Sequence, residues 1–192
     1  MLKTFSMGIL AFLLAQAASA GVITYTANLT GPGENPPNTS PGIGFAIVTI
    51  DTLAQTIEVN VTFTGLQGTT TASHIHCCTV VPGAGSAGVA TQLPAFIGFP
   101  LGVTSGTYDH VFDLTLDTSY NPAFEAAHGG TAALAEATLL AGMAADETYL
   151  NIHTTQVPGG EISGFLATPE PATFVMAGAA LAGLAMLRRR RA

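Results

Sequence analysis

Between residues 21 and 168 the chain has no lysine and no arginine, yet this stretch holds eleven of its twelve acidic residues. With histidines neutral, that is a charge of −11. A surface of this sign repels phosphate backbones, which excludes nucleic acid as a partner, and it gathers cations, divalent metals among them. The five bases lie at the ends: Lys3 at one, and Arg188, Arg189, Arg190 and Arg191 at the other. Tryptophan is absent, and the only cysteines are the neighbours Cys77 and Cys78, too few for a multi-disulfide scaffold. No Gly-x-Ser-x-Gly elbow, His-Glu-x-x-His pair or phosphate-cradling glycine loop occurs, so the common hydrolase and nucleotide-binding signatures are missing. Apolar runs of the ~20 residues that span a bilayer comfortably are missing too.

Shorter apolar runs occupy both ends. Residues 1–20 read as a secretory signal peptide: Lys3 supplies the positive n-region, 7–18 the apolar stretch, and Ala18-Ser19-Ala20 the small-residue cleavage site. The alternative is an uncleaved anchor. Residues 169–192 run in order through Pro169-Glu170-Pro171, an apolar segment over 172–187 and the four arginines. As a helix at ~1.5 Å per residue, those sixteen apolar residues cover about 24 Å, marginal for a ~30 Å hydrocarbon core. Flanking side chains and bilayer thinning make up such a shortfall. The arginines belong on the cytoplasmic side, which puts the acidic domain outside. This order resembles the PEP-CTERM sorting signal of Gram-negative bacteria, with a simple tail anchor as the alternative. The resemblance implies an exosortase as processing partner, a transient inner-membrane anchor through a C-terminal transmembrane helix, and delivery to the envelope, cell surface or extracellular matrix.

The remaining 148 residues suffice for one hydrophobic core. Residues 56–63 alternate strictly, with Ile57, Val59, Val61 and Phe63 against Thr56, Glu58, Asn60 and Thr62, which predicts a strand buried on one face. Residues 107–116 carry the same pattern, and 22–30, 45–51, 72–79, 149–154 and 161–167 carry weaker versions. Gly- and Pro-rich pieces separate them. Short alternating strands with turn signals predict a mainly β domain, a single antiparallel β-sandwich of immunoglobulin-like or superoxide-dismutase-like type. One or two short helices interrupt it. Asn121-Pro122 offers a cap and a first-turn proline, and 132–145 is Ala- and Leu-rich with Leu134, Leu139, Leu140 and Met143 near helical spacing. The Asn-x-Ser/Thr triplets at Asn28, Asn38 and Asn60 carry no weight, since Thr-rich strands generate them freely.

Chemistry concentrates in Ser73-His74-Ile75-His76-Cys77-Cys78. Alternation along a strand points His74, His76 and Cys78 one way. Two imidazoles two residues apart reach one ion, and on 149–154 the residue His153 faces away from Leu150 and Ile152. If the two strands meet, His74, His76 and His153 form a three-imidazole site, with Cys78, Glu161 or water as the fourth ligand. Imidazole ligands favour copper or zinc over calcium. The bland reading is three hydrogen-bonded imidazoles with no ion. For Cys77 and Cys78, three states are open: a vicinal disulfide, a thiolate ligand, or two thiols. An oxidising compartment favours the disulfide. His110 falls on an apolar strand face as a core residue, and His128, beside Gly129-Gly130, reads as a solvated loop residue.

Four blocks carry a further resemblance. They are Leu29-Thr30-Gly31 through Gly33-Glu34-Asn35-Pro36-Pro37, Gly65-Leu66 ahead of Ala72-Ser73-His74-Ile75-His76, Tyr149-Leu150-Asn151-Ile152-His153-Thr154, and Pro158-Gly159-Gly160-Glu161-Ile162-Ser163-Gly164. In order and spacing they resemble a CHRD domain, the module named from chordin. The resemblance implies a β-rich extracellular module with no established reaction. Its pattern usually has Arg where this chain has Ser163, and Gly-Pro where it has Cys77-Cys78. The expectation is therefore an exported binding module without catalytic activity, for envelope or matrix components, with a copper or zinc site. The alternatives are a small copper or zinc oxidoreductase and a purely structural envelope or biofilm protein. The oxidoreductase is disfavoured because a base-free domain steers anions away.

Overall fold

The computed structural model describes residues 21–169. Seven strands form in chain order: β1 (Val22–Thr30), β2 (Ile43–Asp51), β3 (Thr56–Thr64), β4 (Thr70–His76), β5 (Gly106–Asp113), β6 (Tyr149–Thr154) and β7 (Ile162–Phe165). The helices α1 (Pro122–Ala127) and α2 (Ala132–Ala144) lie between β5 and β6. Asn121 caps α1 by accepting from the Ala123 amide with Pro122 in the first turn, and Thr131 caps α2 by accepting from Leu134 N. Helix α1 thus starts at the expected cap, whereas the Thr131 cap of α2 was not read from the sequence. One expected core residue does not join: Leu134 is 50% exposed, while Ala135, Leu139 and Met143 make the buried stripe of α2.

All seven strands belong to one antiparallel sheet, in the order β4-β6-β7-β1-β2-β3-β5. This corrects the two-sheet sandwich: the sheet is single and curls into a half-barrel. The reason lies at the seam between β7 and β1. Only Thr30 and Ser163 pair there, with a second bridge between Thr26 and Ala167. Gly164 makes that contact possible, because a Cβ at 164 would run into the backbone carbonyl of Asn28. The narrow seam joins two wings, β4-β6-β7 and β1-β2-β3-β5, whose inner faces share one core with α2. Alternation reveals which face of each strand is apolar. It does not reveal whether two wings are joined by a seam or stacked as separate sheets.

Phe96 closes the opposite side. Its amide donates to Ser73 O on β4, and its ring packs on Tyr108 and Phe112 of β5 at 5.8 and 5.6 Å. The two edge strands are therefore bridged by one segment, which also shields β4 from pairing with other chains. Among the described residues no helix is long and apolar enough to cross a membrane. The signal peptide and the C-terminal transmembrane helix inferred from the sequence lie outside the described residues.

Candidate metal centre

Strand parity puts Ser73 and Ile75 of β4, and Leu150 and Ile152 of β6, on the core face. His74 and His76 must then point to the outer face of that wing, together with Tyr149, Asn151 and His153. Register brings them together: His74 lies opposite Asn151, His76 opposite Tyr149, and Ala72 opposite His153. The His74 and His153 ring centroids are 5.3 Å apart, His74 and His76 5.8 Å, and His76 and His153 6.3 Å. His76 also stacks on Tyr149 at 4.6 Å. His74 and His76 are buried and His153 is half-buried, because the loop after β4 folds back over them. That loop is pinned to the edge of β4 by Cys77 N to Gly88 O and Ala90 N to Ile75 O.

Each ring uses one nitrogen on a backbone carbonyl. His74 Nε2 donates to Pro94 O at 2.6 Å, His76 Nδ1 to Ala87 O at 2.9 Å, and His153 Nδ1 to Pro158 O at 2.8 Å. A neutral imidazole has one N–H and one lone pair, so these bonds fix the tautomers and leave three lone pairs inside the cluster. His74 Nδ1 is buried and has no partner. Asn151 spans the other two, with Oδ1 3.1 Å from His76 Nε2 and Nδ2 2.9 Å from His153 Nε2. An amide has a donor at one end only. It can satisfy one of those lone pairs, and flipping it merely moves the conflict to the other ring.

Burial is the largest influence on His74 and holds its imidazole well below the ordinary value, at about 4, with the Pro94 carbonyl pulling back and the neighbouring histidines pushing the same way as burial. Burial likewise lowers His76. Both are therefore unprotonated near pH 7, the form that binds a metal. One nitrogen from each of the three rings lies within 4.8 Å of one from each of the others. Tetrahedral bonds of ~2.0–2.1 Å set ligands about 3.3 Å apart. Ring movements of about 1 Å close the set on an ion of that size.

The structure does not bring Cys78 or Glu161 into this group. Cys78 is bonded to Cys77 as a vicinal disulfide, with its sulfur turned toward Thr138 O on α2. Glu161 is fully buried, and four donors occupy its carboxylate: Ser40 Oγ and Gln67 N on Oε1, Thr154 Oγ1 and Gly68 N on Oε2. It ties β7 to two loops and has no lone pair to spare. His110 stands edge-on to Phe112 on the apolar side of β5. His128 is less free than expected, since it ends α1 with Nδ1 2.7 Å from Phe124 O.

The family model described as the CHRD domain matches residues 25–166. The chain belongs to the CHRD family. Immediately after the CHRD domain, residues 167–191 match the PEP-CTERM protein-sorting motif. That motif implies export, handling by an exosortase, and a place in the envelope or at the surface of a Gram-negative bacterium. No curated protein and no solved structure matches the chain. Within the CHRD domain, sequence reasoning missed Asn151, although it shares the 149-151-153 alternation with His153. It also gave no role to Glu34, which stands in the Gly33-Glu34-Asn35-Pro36-Pro37 block and is buried.

Proposed function

We propose that this exported CHRD protein binds one copper or zinc ion through His74, His76 and His153, and acts at the surface or in the extracellular matrix by binding rather than catalysis. The observation that carries this reading is the mismatch of three inward lone pairs with a single amide donor. A Lewis acid resolves it, and the three backbone carbonyls behind the rings supply the outer-shell orientation that metal-ligating histidines require. Three ligands leave a fourth position for water or for a group on a partner. The same open position supports a second reading, a small metallo-oxidoreductase, for which the test is turnover by the loaded protein.

The deciding experiment is elemental analysis of protein recovered from an exporting host and dialysed against a weak chelator, beside a His74→Ala/His76→Ala variant. We expect about one equivalent of copper or zinc in the wild type and none in the variant. Added metal at ~100 times Kd stabilises by ~2.7 kcal/mol, a rise of about 5–10 °C in Tm that the variant lacks. Equal and negligible metal in both proteins, even after loading, makes the histidines purely structural.

A further inference from the structure

A second site lies beside the histidine cluster on the outer face. A cavity of about 210 Å³ is lined by Tyr149, Asn151, Ser163 and Phe165 of β6 and β7, by Glu34, and by His76 of β4. Glu34 is only 7% exposed, and its Oε1 is buried with no hydrogen-bond partner. Gly160 lies directly on the carboxyl: a Cβ there would come within 2.6 Å of both oxygens. The neighbouring hydroxyls have backbone acceptors of their own. Ser163 Oγ donates to Gly33 O at 2.9 Å, Tyr149 Oη to Ala87 O at 3.3 Å, and Ser86 Oγ to Asn35 O at 3.4 Å.

An unpaired buried carboxylate is costly, and proteins ordinarily answer it with a lysine or arginine. This domain has neither, so a basic partner has to come from outside the domain; without one, burial pushes the Glu34 carboxyl up to about 7 and favours its neutral form. Tyr149 and Phe165, with ring centroids 5.4 Å apart, add aromatic surface to the same cavity. Carboxylate and aromatic rings together recognise organic cations. Glu34 stands outside the three-histidine group, although His76 lines the same cavity. The volume admits the head of a side chain or a small amine.

We infer that this cavity is a binding site for an organic cation, an ammonium or guanidinium group, which pairs with Glu34 and packs against Tyr149 and Phe165. The cation comes either from a free small amine or from a lysine or arginine side chain of a partner protein. The site adjoins the histidine cluster through His76 and Asn151, which line the same cavity, so it is tested with no metal present.

The test is titration of the whole exported protein, in chelator, with ethylammonium and ethylguanidinium, following the backbone amide NMR signals of Glu34, Ser163 and Phe165. Sodium chloride at matched ionic strength measures general attraction to the −11 surface. We expect saturable shifts confined to the cavity. Glu34→Gln should weaken binding about tenfold or more, as befits loss of a charged hydrogen bond, whereas Glu58→Gln on exposed β3 should leave it unchanged. Ser163→Arg places a guanidinium inside the cavity and should abolish binding of the added cation. Short lysine- and arginine-containing peptides separate the two sources: tighter binding than the free cations identifies a partner's side chain, and equal binding a free amine. Shifts that sodium reproduces, or that persist in Glu34→Gln, overturn the proposal. Both results leave the metal reading untouched, because no metal is present.

Discussion

Replacing Glu161 with alanine should destabilise the domain by about 3–5 kcal/mol, the largest loss expected from any single side chain outside the apolar core. The carboxylate is fully buried, and it is the common acceptor for the Ser40 and Thr154 hydroxyls and the Gln67 and Gly68 amides. Its removal strands two backbone N–H groups that no other acceptor reaches, and it disconnects β7 from the loops at 40 and 67–68. The effect has a distinctive pH dependence. Burial pushes the carboxyl up, but the four donors outweigh it and hold it below the usual carboxylate range. A carboxylate depressed in the folded state contributes fully above its unfolded value, near 4.5, and the contribution disappears as pH falls through the folded value. The gap between wild type and Glu161→Ala in urea denaturation should be full at pH 7 and should narrow below pH 4.5. A gap below about 1 kcal/mol at pH 7 would mean that water replaces the carboxylate.

The second large effect is one whose sign two forces contest. Gly142 lies inside α2, where alanine is favoured over glycine by about 1 kcal/mol. Propensity alone predicts that Gly142→Ala stabilises. The disulfide says otherwise, because a Cβ at 142 would stand 2.5 Å from Cys77 Sγ and 2.6 Å from Cys78 Sγ. Neither sulfur is the free end of a flexible side chain, so the helix itself has to retreat from the core. Overpacking of this kind costs ~1–3 kcal/mol against the ~1 kcal/mol gained from propensity and should win, leaving Gly142→Ala destabilised by up to about 2 kcal/mol. In a Cys77→Ala/Cys78→Ala background the obstruction is gone, and Gly142→Ala should become neutral or stabilising. Chemical denaturation of the four proteins in this cycle isolates the coupling. If alanine at 142 has the same effect in both backgrounds, the sulfurs do not set the helix position.

Much of the CHRD fold was legible because it rests on parity. The alternation of Ile57, Val59, Val61 and Phe63 locates β3, and that of Leu150 and Ile152 points His153 outward. The His74/His76/His153 set follows from parity once β4 and β6 pair. What was not legible depends on partners distant in sequence. Nothing local indicates that β7 meets β1 through one residue pair, and that seam makes one curled sheet out of an expected sandwich. Glu161 looks like a ligand until Ser40, Gln67 and Gly68 converge on it from more than ninety residues away. Leu134 fits a helical stripe, yet the core is reached by the neighbouring stripe through Ala135. The vicinal pairing of Cys77 and Cys78 agrees with an oxidising compartment, but its seat on Gly142 was invisible in a run that reads only as helix.

The bridge between Thr26 and Ala167 has a consequence for sorting. Ala167 both donates to and accepts from the Thr26 backbone, at 3.0 and 2.8 Å, so the last tethered residue is only two positions from Pro169. At a maximum of ~3.3–3.6 Å per residue, that leash is about 7 Å long. An exosortase that acts at Pro169-Glu170-Pro171 therefore works within one side chain's length of a folded surface. Its active site must be shallow enough to admit a docked β domain, or β1 must release Ala167 before the cut.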